Sequence, residues 1–430
     1  MNKKSQELLG VDKIIYLQSI LLFILAIASI YFKPFLLIII MITVYTLIFS
    51  DVKNSYFQLF FLLPFSMVLK FSPETPSLFT YLMFFSSIVI FIRIRHVKEF
   101  FVLFIIFLII YILLGVGDSY ELLLKLISGL ILLYAFTRVS KESDFKNYII
   151  AYAFGLLGSS IIGLFKTDMH LIGQYFTDFN REVIGGISIY RFSGLQLDPN
   201  YYSIGILLVL YALILLFIKK NVSRILLLPL MVSITYFGFL TYSRLFVLVF
   251  ILMLTVPIYY IFTKQKQFIV SIFIIGLLFI SVYYLMSEST YFFEIIERFN
   301  VEDISNNRFR IWNDYFYFLS QNIGALTFGR GIGAPYYGRS ATHNTYLELV
   351  YYLGLLGSLL YVLFIVLILS SKRSFTRITY LNYFILILFL IMIGTLSLFK
   401  ANELMFYIMI IWIVINFESR KKLSKSNLLQ

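Results

Sequence analysis

Apolar residues run through this chain in long blocks, broken by short segments in which charges and turn residues gather. Phe100 to Val116, Asn200 to Ile218 and Ile378 to Ser397 reach or approach the roughly 20 residues that cross about 30 Å of hydrocarbon as helix. The blocks lack alternation of apolar and polar positions, which predicts helices and not barrel strands. Read throughout, the pattern gives fourteen candidate spans, near residues 14–32, 34–50, 55–69, 77–92, 100–116, 121–137, 147–165, 200–218, 224–241, 244–262, 267–285, 343–370, 378–397 and 401–417. The third, which holds Pro64, is short. Ile14 to Phe32 is not followed by a small-residue cleavage site and reads as a retained first span. The expected fold is an all-α, polytopic membrane helical bundle of about 12–14 transmembrane helices. It forms a single integral membrane domain over residues 1–430, with no internal repeat and no detachable soluble domain.

Charge placement orients the bundle. Basic residues fill every second connecting segment, as in Arg93, Arg95 and Lys98, in Lys219, Lys220 and Arg224, and in Lys372, Arg373 and Arg377. The positive-inside rule puts these segments and both termini in the cytoplasm of a bacterial inner (plasma) membrane. Two long hydrophilic loops, 166–199 and 286–342, then share the outer, periplasmic or extracellular side. Loops this long are usually functional or disordered, and helical periodicity marks the second as ordered. Phe292, Ile295, Ile296 and Phe299 make an amphipathic helix of Tyr291 to Asn300. Asn307 to Gln321 predicts another, with Phe309, Trp312, Phe316 and Leu319 on one side.

Composition agrees: the chain is 60% hydrophobic and 13% charged, far too apolar for one soluble core. Its net charge of +13 is accounted for by topology, so nucleic acid is not an expected partner. The absence of cysteine removes disulfides, thiolate metal sites and a thiol nucleophile. No set of His, Asp and Glu has metal-ligand spacing, so neither a metal nor a cofactor is expected.

Three groups of outer arginines are the first candidates for chemistry: Arg181 and Arg191, then Arg244, then Arg308 and Arg310. A planar guanidinium that never deprotonates suits a bidentate grip on phosphate or diphosphate. The plainer reading is snorkelling to headgroups, or pairing with Glu182, Glu297 or Asp314. His343 opens the twelfth span directly after the second outer loop and is placed for general-base work. As helix, it would share a stripe with Leu347, Val350, Gly354 and Gly357, whose glycines admit a neighbouring helix. Asn344 would orient the histidine or cap the helix. His96 reads as headgroup contact, and His170 as a loop residue without a clear partner.

Other positions read as structural. Asp198 with Pro199 forms a helix start, a substrate role for Asp198 or Asn200 being the lesser reading. Gly329, Gly331 and Gly333 lack the strand and soluble helix a nucleotide loop needs, so a reentrant or loop turn is expected. Glu348 lies one turn inside its span, within range of an arginine, and Glu121 pairs with Lys125 at i, i+4.

Taken together these residues resemble the O-antigen polymerase and O-antigen ligase superfamily. The likeness rests on Arg308-Phe-Arg310-Ile-Trp312, on Gly329-Arg-Gly331-Ile-Gly333, and on His343-Asn344 followed by Gly354 and Gly357. Phe192-Ser193-Gly194-Leu195 with Asp198-Pro199-Asn200, and Thr241-Tyr242-Ser243-Arg244, extend it. It covers most of Arg191 to Gly357; the first six spans match in hydrophobicity alone. The resemblance implies an inverting, metal-independent glycosyltransferase with a GT-C-like membrane fold. Its donor would be an oligosaccharide on undecaprenyl diphosphate, among membrane lipid. His343 would deprotonate the acceptor hydroxyl, Arg191, Arg244 and Arg308 or Arg310 would hold the diphosphate, and Asn344 would bind substrate.

Three functions compete. The first is a polymerase joining O-antigen or capsular polysaccharide repeat units, with room for a partner that regulates chain length. The second is a ligase moving finished glycan to lipid A core or another acceptor, as in lipopolysaccharide assembly. The third is a lipid-oligosaccharide flippase or other transporter. Transporters usually carry ionisable groups near the bilayer midplane, whereas the charges here gather at the outer rim.

Overall fold

In the computed structural model the apolar blocks become helices whose backbone hydrogen bonds are closed internally, as a lipid solvent demands. The structure describes residues 13–72, 75–94, 101–102, 106, 120–165, 181–184, 187–196, 198–218, 222–263, 276, 280, 307–339, 341–370 and 380–416. In chain order the elements are α1 (Lys13–Tyr31), α2 (Phe35–Phe49), α3 (Val52–Leu62), α4 (Leu78–Arg93), α5 (Tyr120–Val139), α6 (Glu142–Leu164), β1 (Arg181–Ile184) and β2 (Ile187–Tyr190). There follow α7 (Pro199–Ile218), α8 (Arg224–Phe239), α9 (Arg244–Thr263), α10 (Arg308–Gln321), α11 (Ile323–Phe328), α12 (Thr345–Ser370), α13 (Tyr380–Ile393) and α14 (Glu403–Asn416). Three of these, α6, α7 and α12, are long and apolar enough to cross a membrane, and seven further apolar stretches of helix are shorter.

The candidate spans within the described residues fall on helices, except that the one near 55–69 is helical only to Leu62 and then passes through a short 3-10 turn over Leu63–Phe65. The spans near 100–116 and 267–285 fall almost wholly outside those residues, as does the expected helix of Tyr291 to Asn300. The all-helical expectation needs one addition, an antiparallel hairpin of β1 and β2 in the first long hydrophilic loop, with Arg181 opposite Tyr190 and Ile184 opposite Ile187. Its signal is local: Gly185-Gly186 sits between β-branched residues, the composition a two-residue hairpin loop favours.

The chain divides into two compact units. In the first, built from residues 1–79, 141–304 and 380–385, α7 is the central helix and is buried along nearly its whole length, as expected of a helix apolar on every side. A built Cβ at Gly155 of α6 would stand 2.2 Å from the Phe61 carbonyl oxygen, so the small residue sets how closely α6 and α3 approach. Beside this contact Phe60 stacks on Tyr148 at 5.7 Å. Gln58 donates to Thr46 at 2.9 Å and to Gln18 at 3.3 Å, a polar knot across α1, α2 and α3 that gives its amide nitrogen partners in an apolar interior. Further along α6, Gly163 meets the backbone of Gly194 and Tyr202 bonds Ser160, which pins the segment after β2 to the bundle.

The second unit comprises residues 80–140, 305–379 and 386–430. Here α14 is the buried helix, and Gly129 of α5 packs on Met405. Glu121 and Lys125 pair at 2.7 Å on α5. α12 is broken at Gly354, whose φ of 68° and ψ of 179° are not helical. The stripe expected from His343 to Gly357 is therefore interrupted, and Gly354 serves a different contact. The break frees the carbonyls of Tyr351 and Tyr352, which accept the N–H groups of Arg330 and Gly331 at 2.8 and 3.0 Å. The glycine run after α11 is thus a backbone cap for a broken membrane helix. Before the break most of α12 is buried; beyond it Leu355, Leu356, Leu359 and Leu363 are exposed, the face a membrane helix offers to lipid.

Candidate active site

Two polar constellations hold the residues that the sequence singles out, one in each unit. In the first unit, Asp198 accepts the N–H of Asn200 at 2.6 Å, with Pro199 opening α7, the helix start read from the sequence. Asn200 does more than follow a cap. Its Oδ1 accepts Nη2 of Arg191 at 2.9 Å and the hydroxyl of Ser243 at 3.0 Å. Arg191 Nε donates to the Thr241 carbonyl at 3.1 Å, and the neighbouring Phe192 N–H to the Leu240 carbonyl at 2.9 Å. Arg191 and, from 43 residues beyond Asn200, Ser243 therefore meet at one amide oxygen, and two bonds fix the plane of the Arg191 fork.

The turn between α8 and α9 is built to present Arg244. Thr241 Oγ1 donates to the Gly238 carbonyl at 2.7 Å and accepts the Ser243 N–H at 3.2 Å. Ser243 Oγ in turn accepts the Phe246 N–H at 3.3 Å, capping α9. Arg244 is the first residue of that helix, where the macrodipole is positive and a cation is disfavoured by about 0.3–1 kcal/mol. The same end attracts an anion.

In the second unit the site lies around the start of α12. Trp312 of α10 donates its indole N–H to the Thr342 carbonyl at 2.8 Å, tying the helix that begins with Arg308 to the residue before His343. Thr342 Oγ1 bonds Ser397 Oγ at 2.8 Å. Asn344 Oδ1 accepts the N–H groups of Tyr346 and Leu347 at 3.0 and 3.1 Å. Asn344 is thus the N-cap of α12, with its side-chain oxygen committed to the backbone. His343, half-buried, stands between these two anchored residues.

Arg308 and Arg310 separate. Two residues along a helix place them about 160° apart around the axis; Arg308 is half-buried on the packed side and Arg310 is exposed on the other. Of the pair, Arg308 is the one turned toward the rest of its unit. The expected apolar face of α10 also shifts. Trp312, Tyr315 and Leu319 face inward, with Tyr315 and Leu319 buried, while Phe309 and Phe316 are exposed. The reason is tertiary: Tyr315 accepts the Tyr337 N–H at 3.0 Å and packs edge-on to Tyr351, which outweighs the apolar spacing. Arg181 begins β1. His96, His170 and Glu297 lie outside the described residues.

A group that joins Glu348 to residues not anticipated from the sequence, Thr345 and Lys400, sits beside the start of α12. Thr345 Oγ1 donates to the Leu396 carbonyl and accepts the Leu398 N–H at 3.0 Å. Glu348, fully buried, accepts the Phe399 N–H at 3.2 Å instead of pairing with an arginine. Next to it Lys400 donates to Tyr352 at 2.6 Å and lies 3.9 Å from the Tyr352 ring centroid and 4.8 Å from that of Tyr336. Burial lowers the Lys400 ammonium below the usual lysine range, and the negative charge of Glu348 offsets part of that shift. Burial pushes the Tyr336 phenol up to about 12. The available signal was the polar interruption Ser397, Lys400 and Asn402 between two apolar blocks.

Thr345→Val is isosteric and removes both bonds to the 396–398 turn, leaving a buried donor and a buried acceptor unpaired. The expected loss is about 1–3 kcal/mol, read as a lower melting temperature in detergent. Thr345→Ser keeps the hydroxyl and should melt near the parent protein.

Among the described residues only three non-glycine positions have positive φ: Tyr242 at 47°, Asn307 at 61° and His343 at 47°. Tyr242 is two residues before Arg244, Asn307 immediately precedes Arg308, and the third is the histidine itself. A left-handed non-glycine residue costs on the order of 1–3 kcal/mol and persists where its surroundings impose it. Also among the described residues, no group of three or more His, Asp and Glu could hold a metal ion. Comparison with protein-family models, with curated proteins and with solved structures returns no match.

Proposed function

We propose that the protein is a membrane glycosyltransferase that joins polyprenyl-diphosphate-linked repeat units of a surface polysaccharide on the outer face of the bacterial plasma membrane. The observation that carries this reading is that all three left-handed non-glycine residues among the described residues fall at, or within two positions of, Arg244, Arg308 and His343. Backbone strain of this kind concentrates where side chains must be held for chemistry.

In the proposed reaction His343 takes the proton of an acceptor sugar hydroxyl as that oxygen attacks the anomeric carbon of the donor. The bond from that carbon to the lipid diphosphate breaks, the configuration inverts, and the lipid diphosphate leaves with the bonding electrons. Negative charge grows on the diphosphate as the bond lengthens. Fixed guanidinium groups lower the barrier by meeting that charge, and Arg191, Arg244 and Arg308 are the groups proposed for it. Arg310, on the exposed side of its helix, is assigned to lipid headgroups. No nucleotide is needed, because the donor carries its own leaving group.

The test is reconstitution in vesicles with a purified lipid-diphosphate-linked repeat unit. A polymerase produces a ladder of longer lipid-linked chains and free lipid diphosphate. A ligase produces no ladder and transfers intact chains only when a second, non-diphosphate acceptor is supplied. Movement of the donor across the bilayer without new glycosidic bonds would identify a flippase and overturn the reading.

A further inference from the structure

α10 divides into three faces, and one of them is apolar and exposed. Trp312, Tyr315 and Leu319 turn inward. Arg310, Asp314 and Gln321 form an exposed polar face. Between them Phe309 is 65% exposed and Phe316 59%, and the next helix adds Ile323 at 74% and Phe328 at 61%. Large apolar side chains left in water forgo about 1.5–3 kcal/mol apiece relative to burial, and several together mark a surface that something apolar covers.

The surroundings indicate what covers it. Phe328 ends α11, and the next residue, Gly329, lies in backbone contact with Gly354 of α12. Immediately past Gly354 α12 turns largely exposed, with Leu355 at 53% and Leu356 at 47%. The apolar surface of α11 therefore continues into the side of α12 that a membrane-crossing helix exposes to lipid. The break at Gly354 is the point where α12 passes from residues mostly enclosed by protein to residues facing outward.

We propose that α10 and α11 lie along the bilayer surface, with Phe309, Phe316, Ile323 and Phe328 in the acyl boundary and Arg310, Asp314 and Gln321 toward water. An amphipathic helix with a narrow apolar face and a charged opposite face is suited to this position. The arrangement places Gly354 at the edge of the hydrocarbon. The occupant of the apolar face is lipid and not a second protein. The inference rests on exposure and continuity, independent of any catalytic reading.

The chain has no cysteine, so single cysteines can be introduced without background. Nitroxide labels on Phe309→Cys, Phe316→Cys, Ile323→Cys, Phe328→Cys, Arg310→Cys, Asp314→Cys and Gln321→Cys would be compared in lipid nanodiscs. The ratio of collisions with oxygen to those with a water-soluble nickel chelate is expected to be several-fold higher at the four apolar sites than at the three polar ones. Equal, water-like ratios at all seven sites would overturn the proposal. So would apolar sites shielded from both reagents, the outcome for a face covered by protein. Every substituted residue is at the surface, so the labelled chains should fold; a shared melting temperature checks that.

Discussion

Alanine at Gly354 is expected to remove most of the folded protein. Gly354 has φ 68° and ψ 179°, and its contact Gly329 has φ 81° and ψ 177°. Both occupy a region that is essentially restricted to glycine, where any other residue costs about 1–3 kcal/mol in backbone strain. A Cβ on Gly354 would stand 2.3 Å from the Thr327 carbonyl oxygen and 2.5 Å from the Gly329 nitrogen. Both neighbours are backbone and cannot rotate away, so overpacking adds roughly another 1–3 kcal/mol. The sum, on the order of 4 kcal/mol, is a large part of the about 5–15 kcal/mol by which proteins are usually stable. Relief of the clash would also strip the Tyr351 and Tyr352 carbonyls of the N–H groups that cap them. The measurement is the yield of monodisperse protein in mild detergent and its melting temperature. Gly324→Ala is the control, because a Cβ there meets nothing within 4 Å. If Gly354→Ala melts with Gly324→Ala, the clasp between α11 and α12 is not a structural joint.

The glycine pair shows where sequence reading reaches and where it stops. Helices such as α7 and α12 were legible because lipid allows few alternatives: long apolar runs must close their own hydrogen bonds. Periodicity also found α10 to within one residue. It did not find which face is buried, because the spacing of Phe309, Trp312, Phe316 and Leu319 describes one apolar stripe, while a single hydroxyl on Tyr315, bound to the Tyr337 N–H, turns the helix to another. The kink at Gly354 was invisible for a related reason. A glycine in an apolar run reads as a close helix contact, and only the paired conformation of Gly329 reveals a break.

The site was legible in part. Arg191, Asn200 and Ser243 all lie within the motifs, but their convergence on one amide oxygen depends on a contact across 43 residues, from Asn200 to Ser243, beyond any local rule. Asn344 had two readings, and backbone geometry assigns it to capping. Lys400 went unremarked because one lysine between apolar spans resembles an ordinary topological signal. Its aromatic neighbours Tyr336 and Tyr352 come from two other segments of the chain.

Replacement of His343 by asparagine should abolish glycan joining while leaving the fold intact, and it is a sharper test than alanine. The histidine is left-handed, with φ 47°, a conformation that disfavours alanine by about 1–2 kcal/mol. A loss of activity in His343→Ala would thus mix chemistry with backbone relaxation before α12. Asparagine adopts the left-handed region readily, so it preserves the path of the chain between Thr342 and Asn344 but cannot take up a proton as imidazole does. General-base catalysis contributes typically about 10²–10⁴-fold, and a rate loss of that size is expected at saturating donor. The rate of lipid-linked chain growth per folded molecule is the quantity to measure, beside the melting temperature. Donor binding, the task assigned to the arginines, should change little. Substantial activity in His343→Asn would make the residue a turn element and return the search for a base to Glu348, the fully buried carboxyl in the first turn of α12.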